Sequence, residues 1–468
     1  MLYNSFSFLL FFPVAIGLYY TLPHKVRWVY LLVVSYLFYA NWNPAYLIIL
    51  VTTTCFTYCC ARLIGERFHN NWMLALSITL SFSGLFVYKY LNFFNETIFG
   101  LLNLCGLRLA VPKFELLLPI GISFYTFMAV GYLIDVYRGK IKPEKNIAKY
   151  ALFVSFFPQI AAGPIGRAGD LMPQFEERHP FKKENLSAGL RMMLWGYFMK
   201  VVVADRLALY TGAVFGNLYH HSGITILLAA VFFSIQIYCD FAGYSYLAWG
   251  TAKAMGFNLI MNFERPYMAR SVTEFWRRWH ISLSTWFRDY VYFPLGGSRC
   301  GKWRNRFNMM VTFLVSGLWH GANWTFIVWG GLNGAFQVVG KAIPSFKKSE
   351  NRKIEAIHRW WDIIVTFMLM TVAWVFFKSN TISDACHAIS AMLIPTGKLY
   401  VPQLSILVYC MIGVVLLILT DVLWEIKGRH PFLESRSMAV RFVSYVGFTM
   451  MILVMGVFDG GQFIYFQF

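Results

Sequence analysis

The sequence predicts an all-α, polytopic integral membrane protein. Three observations carry that class. Of 468 residues, 58% are hydrophobic and 19% aromatic, while only 13% are charged. Mean hydropathy is +0.53. Apolar runs approaching the roughly 20 residues of a helical bilayer crossing recur along the chain. No charged or Pro/Ser-rich linker divides the sequence, so one domain over residues 1–468 is expected. A disordered chain, a collagen-like repeat and a disulfide scaffold are excluded as descriptions of the whole.

Each element follows from its run. Ser5 to Leu22 lacks the basic leader and small-residue cleavage site of a signal peptide and is read as the first crossing. Trp28 to Trp42, Pro44 to Gly65, Trp72 to Phe94 and Glu115 to Asp135 come next, then Leu186 to Ala204 and Ile224 to Trp249. Asn323 to Gly340, Ile363 to Phe377, Leu404 to Thr420 and Phe442 to Phe458 complete the set. Lys149 to Ile160 and Phe307 to His320 are too brief to cross comfortably, which suggests tilted, broken or re-entrant helices sheltered by protein or lining a cavity.

The net charge of +19, from 41 Lys+Arg against 22 Asp+Glu, is read first as cytoplasmic loop bias and contact with membrane lipid. Lys25 and Arg27, then Arg62 and Arg67, then Arg138, Lys140, Lys142 and Lys145 fall on alternate connections. That pattern places the N-terminus outside. The stretches Lys341 to Arg359 and Lys427 to Arg441 leave the C-terminus outside as well. No compact basic domain supports nucleic-acid binding. Cys55, Cys59 and Cys60 lie in an apolar run without zinc-site spacing and read as small core residues, so no metal is expected.

Between Pro158 and Gly321 the polar, aromatic, Gly and Pro residues concentrate, and function is sought there. His320 ends an apolar run from Met309 to Trp319. An ionisable residue at membrane depth is a functional candidate, and neutral imidazole suits a general base. A histidine bonded at a helix end for packing is the competing reading. His280 lies in Glu274 to Tyr290, which as one helix places Trp276, His280, Leu283 and Phe287 on a shared face. Such a helix is either interfacial, with Trp anchors and snorkelling arginines, or part of a site in which Arg277, Arg278 and Arg288 hold donor phosphates. Asp240 needs a partner, with Lys253 and Arg265 available, and reads more as an anchor than as a catalyst. Gly296 to Lys302 resembles a P-loop, but Trp303 replaces the required Ser/Thr. Neither a Gly-x-Ser-x-Gly elbow nor a His-x-x-x-x-Asp box occurs.

Taken together, Pro158 to Phe175, Asp240-Phe-Ala-Gly-Tyr-Ser245, Asn262-Phe-Glu-Arg-Pro-Tyr267, Glu274 to Ser284, Pro294-Leu-Gly-Gly297 and Ser316-Gly-Leu-Trp-His-Gly-Ala322 resemble the membrane-bound O-acyltransferase family. Within it, the bacterial branch of alginate O-acetylation is most similar, as Trp374-Val-Phe-Phe377 and Phe463 to Phe468 also indicate. The resemblance implies a ring of about 11–13 transmembrane or re-entrant helices around a central tunnel, with a catalytic segment near residues 158–325. It implies His320 as the essential histidine and His280 as the second. Arg277, Arg278, Trp279, Ser282, Asp240, Tyr244, Trp319 and Asn323 become candidate donor- or substrate-binding residues. Two departures stand out: Tyr246 replaces an Asp after Gly-Tyr-Ser, and Lys378 replaces an Arg after Phe-Phe.

The implied activity is O-acetylation of an exported or envelope polysaccharide at the bacterial inner membrane. Acetyl-CoA is the expected cytoplasmic donor, no bound cofactor is expected, and a serine-hydrolase-like extracytoplasmic partner would complete the transfer. D-alanyl transfer to teichoic acid and a polysaccharide or lipid transporter are the alternatives.

Overall fold

A computed structural model describes residues 1–107, 110–114, 116, 118–161, 163–340, 351–458 and 464. Among them every regular element is helical. Ala162, much of the basic stretch after Lys341, and the terminal Phe463 to Phe468 apart from Ile464 lie outside the described residues.

The first third is α1 (Phe6–Thr21), α2 (His24–Ala40), α3 (Pro44–Glu66), α4 (Asn71–Leu85), α5 (Leu91–Leu104), α6 (Ile122–Tyr137) and α7 (Ile147–Ser155). Starts are set by capping side chains. Ser5 accepts from Phe8 N at 3.2 Å, Asn43 from Ala45 N at 3.0 Å ahead of Pro44, and Asn70 from Met73 N at 2.7 Å. A π turn at Phe86–Tyr90 joins α4 to α5 in one 34-residue helical run. The stretch from Lys149 to Ile160 is broken, as its length predicts: α7 stops at Ser155 and α8 (Phe157–Ile160) resumes after Phe156.

The middle holds α9 (Ala168–Leu171), α10 (Lys183–Tyr197), α11 (Asp205–Gly216) and α12 (Gly223–Ala254). α12 is the hub. Its apolar window is 78% buried, whereas that of the lipid-facing Asn71–Leu104 run is 17% buried. It lies against α10 at two pairs of glycines seven residues apart: a Cβ on Gly189 would fall 2.5 Å from Gly250 O, and one on Gly196 2.7 Å from Gly243 O. Small residues at matched spacing let the backbones touch, the usual route to tight packing where lipid competes for apolar surface.

The remainder comprises α13 (Val272–Arg278), α14 (Ile281–Phe287), α15 (Lys302–His320), α16 (Trp324–Gly340), α17 (Arg352–Lys378), α18 (Ile382–Leu393), α19 (Leu404–Lys427) and α20 (Met438–Met455). Among the described residues, six helical stretches are long and apolar enough to cross a bilayer. Outward-facing Leu9, Val14 and Leu18 on α1, and Phe442, Val443 and Val454 on α20, are the apolar surface such a protein offers to lipid.

Three sequence expectations need correction here. Glu274 to Tyr290 is not one helix: Ser271 caps α13, and His280 then takes φ 42°, ψ 53° and starts α14. Phe307 to His320 belongs to a 19-residue helix, because Lys302, Arg304 and Arg306 extend it beyond the apolar run. Of the three clustered cysteines only Cys60 is buried, since Cys55 and Cys59 fall on the outer face of α3.

Candidate active site

His320 is the last residue of α15 and is 2% exposed. Glycines decide how it sits. A Cβ on Gly317 would lie 2.2 Å from Phe326 O, and one on Gly330 2.3 Å from Phe313 O, so α15 and α16 pack backbone to backbone just below the histidine. A Cβ on Gly321 would overlap the Phe326 ring at 2.1 Å. The Ser316 to Ala322 motif is thus a packing requirement as well as a chemical one.

The helix end is held by residues that sequence reading missed. Lys89 Nζ donates to Trp319 O at 2.7 Å and to His320 O at 3.0 Å, and Tyr90 Oη donates to Leu318 O at 2.9 Å. Three of the carbonyls that a helix leaves open at its C-terminus are satisfied in this way, with a cation at the negative end of the dipole. Both donors come from the π turn, a feature frequent at functional sites. The available signal was a lysine within an apolar span.

His280 is fully buried in a left-handed conformation. Its Nδ1 pairs with Asn262 Oδ1 at 3.2 Å, and that oxygen also accepts from Ser282 N at 3.1 Å and Ser282 Oγ at 2.9 Å. Strained backbone of this kind persists only where its surroundings over-determine it. Here Ile281 N to Asn262 O (3.0 Å) and Glu264 N to Arg278 O (2.9 Å) bind the His280 turn to the segment before it. Phe241 meets the imidazole edge-on at 4.6 Å. Both histidines border the Trp319 indole, at 6.0 Å for His280 and 4.9 Å for His320.

Two cavities lie along and beyond α15, and the Trp319 indole lines a third, apolar one with Phe127, Trp286 and Leu318. One, of about 460 Å³, runs along α15 past Met309, Thr312 and Ser316 and is bordered by Arg277 and Arg288. The other, of about 400 Å³, lies past the helix end and is lined by Lys89, Asn323, Thr325, Phe377 and Lys378. The first cavity reaches Ser316, one helical turn or about 6 Å before His320, and the second reaches Ala322, two residues after it; the buried imidazole itself lines neither. The arrangement suits transfer between a ligand held by arginines on one side and a second reactant on the other.

The structure separates the remaining candidates. Arg277 borders the first cavity, Trp319 is the wall, and Asn323 lines the second, its Nδ2 donating to Asn380 O at 2.9 Å. Arg278 points elsewhere, into an ion cluster with Glu274 (2.7 Å) and Glu425 (3.0 Å) that ties α13 to α19. Trp279 is core, between Phe263 and Trp374. Ser282 Oγ is committed to Asn262 and to the Ile165 N–H at 2.9 Å, so it is a structural node. Asp240 pairs with neither Lys253 nor Arg265. Its partner is Lys200 at 2.5 Å, which also binds Asp205 at 2.7 Å, while Lys253 bonds Asn258 and Arg265 bonds Glu425. Tyr244 belongs to that cluster, its ring 5.4 Å from Lys200 Nζ and its hydroxyl on Asn4. Tyr246 donates to Phe263 O at 3.4 Å.

Comparison with known proteins gives the family. Residues 140–378 match the membrane-bound O-acyltransferase (MBOAT) family. The chain is 38% identical over 399 residues to the Pseudomonas aeruginosa protein named probable alginate O-acetylase AlgI, covering 84% of this chain and 75% of that one. It is 33% identical over 393 residues to a Helicobacter pylori peptidoglycan O-acetyltransferase, covering 78% and 73%. It is 28% identical over 286 residues to a Bacillus subtilis teichoic acid D-alanyltransferase, covering 58% and 71%. The matched span contains both histidines, both cavity arginines and Lys378, and the chain belongs to the membrane-bound O-acyltransferase family.

Proposed function

We propose that this acyltransferase moves an acetyl group from cytoplasmic acetyl-CoA to an envelope polysaccharide across a bacterial inner membrane, with both termini outside. The observation that carries this is the placement of buried His320 at a helix end, one turn after Ser316 of the first cavity and two residues before Ala322 of the second. In the first, Arg277 and Arg288 suit the phosphates of the donor, because guanidinium matches phosphate bidentately. In the reaction, His320 takes the proton of an acceptor hydroxyl, the oxygen bonds to the thioester carbonyl carbon, the C–S bond breaks, and the proton passes to the leaving thiolate. General-base assistance of this kind contributes about 10²- to 10⁴-fold. His280, fixed through Asn262, orients the Trp319 wall. An exported serine-hydrolase-like partner completes delivery to polymer, and no resident cofactor takes part.

Identity of 38% to proteins named O-acetylases, against 28% to one named a D-alanyltransferase, favours acetyl as cargo. Radiolabelled acetyl-CoA supplied to membranes containing the wild type or His320→Ala, with and without the partner, tests the reading. Label passing to acceptor only with the wild type supports it. No label under any acceptor condition, or transfer only from a D-alanyl carrier protein, refutes it.

A further inference from the structure

The two faces of α15 differ in character. Met309, Thr312 and Ser316 line the first cavity, whereas Trp303, Phe307, Val311, Leu314, Val315 and Leu318 fall within about 120° of one another on the far side, at about 100° per residue. Trp303 is 81% exposed, Phe307 55% and Val315 40%, so this is the membrane-facing side. Its inner part opens into an apolar groove of about 440 Å³ lined by Ile78, Phe82, Phe86, Val130, Leu318 and the Trp319 indole. Its outer end is cationic. No Asp or Glu occurs from Tyr290 to Ser349, and the preceding Asp289 is held by Arg167 at 3.0 Å and Arg288 at 2.8 Å. Arg299 and Lys302, in or ending the basic turn from Gly296, and Arg304 and Arg306 beyond it form no ion pair among the described residues. Arg304 lies 5.5 Å from the Phe307 ring and Arg306 5.0 Å from the Trp303 ring. Exposed rings beside arginines fit the water–hydrocarbon boundary, where aromatic side chains sit at headgroup level and cations meet lipid phosphate. Arg138, from the basic loop read as cytoplasmic, donates to Asp289 O at 3.0 Å and stands 5.5 Å over Tyr290, which lines the groove. Trp303 to Val315 spans about 18 Å of helix at 1.5 Å per residue, against about 15 Å for one leaflet's share of the hydrocarbon core.

We infer that the membrane-facing side of α15 binds one anionic glycerophospholipid of the cytoplasmic leaflet, with an acyl chain in the groove against Trp319 and the phosphate on Arg304 and Arg306. A soluble phosphate compound would meet the same arginines but leave the groove and the exposed rings uncovered, which favours a lipid. The site is separate from both cavities of the acyl-transfer reading and stands without that reading. It puts bilayer composition in contact with the indole that borders both histidines.

The test uses the purified, delipidated full chain in detergent, titrated with phosphatidylglycerol or phosphatidylcholine of identical acyl chains. Binding is read by native mass spectrometry and by the shift in melting temperature that a ligand of the folded state produces. The wild type is expected to bind phosphatidylglycerol about tenfold more tightly than phosphatidylcholine and to melt higher with it. Arg304→Gln combined with Arg306→Gln should bring phosphatidylglycerol down to the phosphatidylcholine level and leave the latter unchanged. Val315→Trp, which fills the groove from an exposed position, should weaken both lipids about tenfold and keep their ratio. Phosphatidylglycerol brominated at the chain end should quench an emission component that Trp319→Phe removes, and bromination next to the glycerol should leave that component intact. The wild-type comparison needs no variant, and equal binding of the two lipids overturns the inference by itself. A preference that survives the double arginine variant, or lipid binding unaltered by Val315→Trp, overturns it as well. So does displacement of the lipid by an equimolar amount of free glycerol phosphate, which would assign the arginines to a soluble ligand. Acetyl transfer is not read, so failure of the acyl-transfer reading leaves each of these outcomes in force.

Discussion

Replacing Lys89 with Met tests how His320 is held in place. The wild-type ammonium makes two bonds, at 2.7 and 3.0 Å, to the last two carbonyls of α15. A hydrogen bond to a charged group contributes about 1.5–3 kcal/mol, and a cation at a helix C-terminus adds about 0.3–1 kcal/mol. Met occupies similar volume and spares the desolvation of an ammonium, which offsets part of that sum. A net loss of about 2–4 kcal/mol in the order of the helix end remains once bonds to charged groups are discounted. If that order positions the imidazole, each 1.36 kcal/mol is tenfold in rate, so acetyl transfer falls at least about 30-fold. The assay is labelled acetyl transfer in membranes, with monodispersity and melting in detergent measured in parallel. The expected signature is a reduced kcat with the KM for acetyl-CoA within about twofold, partly rescued by Lys89→Arg. A folded Lys89→Met variant with wild-type kcat would refute the idea that the π-turn lysine positions His320.

Further substitutions separate structural from chemical roles. Ser282→Ala leaves the buried Ile165 N–H unpaired and should cost about 1–3 kcal/mol of stability, yet the folded protein should retain acetyl transfer within about tenfold. A stable acyl adduct at Ser282 by mass spectrometry would contradict this. Arg277→Ala should raise the KM for acetyl-CoA with little change in melting, whereas Arg278→Ala, by freeing Glu425, should lower melting and leave that KM unchanged. Lys200→Met strands two buried carboxylates and should destabilise by about 3–5 kcal/mol, read as loss of monodisperse protein on gel filtration.

Much of this architecture is legible in the sequence because the bilayer imposes long apolar runs, and Pro44 to Gly65 or Ile224 to Trp249 mark their helices within a few residues. Breaks are harder to read. Nothing in the order Arg278-Trp279-His280 announces a left-handed residue, since the turn is fixed by Asn262, eighteen positions away. Period alone made Arg277 and Arg278 equivalent donors, but Glu425 on α19 claims one of them. Asp240 shows the same limit: Lys253 and Arg265 are near in sequence, but α12 packs on α10 through glycines, and this brings the chain following α10, with Lys200, to Asp240. Lys89 escaped notice because a lone lysine in an apolar span gives no hint of which helix end it meets. The placement of His320 at a helix end is legible from its position at the end of an apolar run.

In the proposed reaction His320 serves a donor and an acceptor that arrive from opposite sides of the membrane. The most direct measurement is transfer in sealed vesicles, with labelled acetyl-CoA confined to the compartment facing Arg277 and Arg288 and acceptor plus partner confined to the other. Labelled acceptor is expected across the bilayer with the wild type, and at least about 100-fold less with His320→Ala. Equal transfer by the two proteins, or labelling only when donor and acceptor share a compartment, would contradict it.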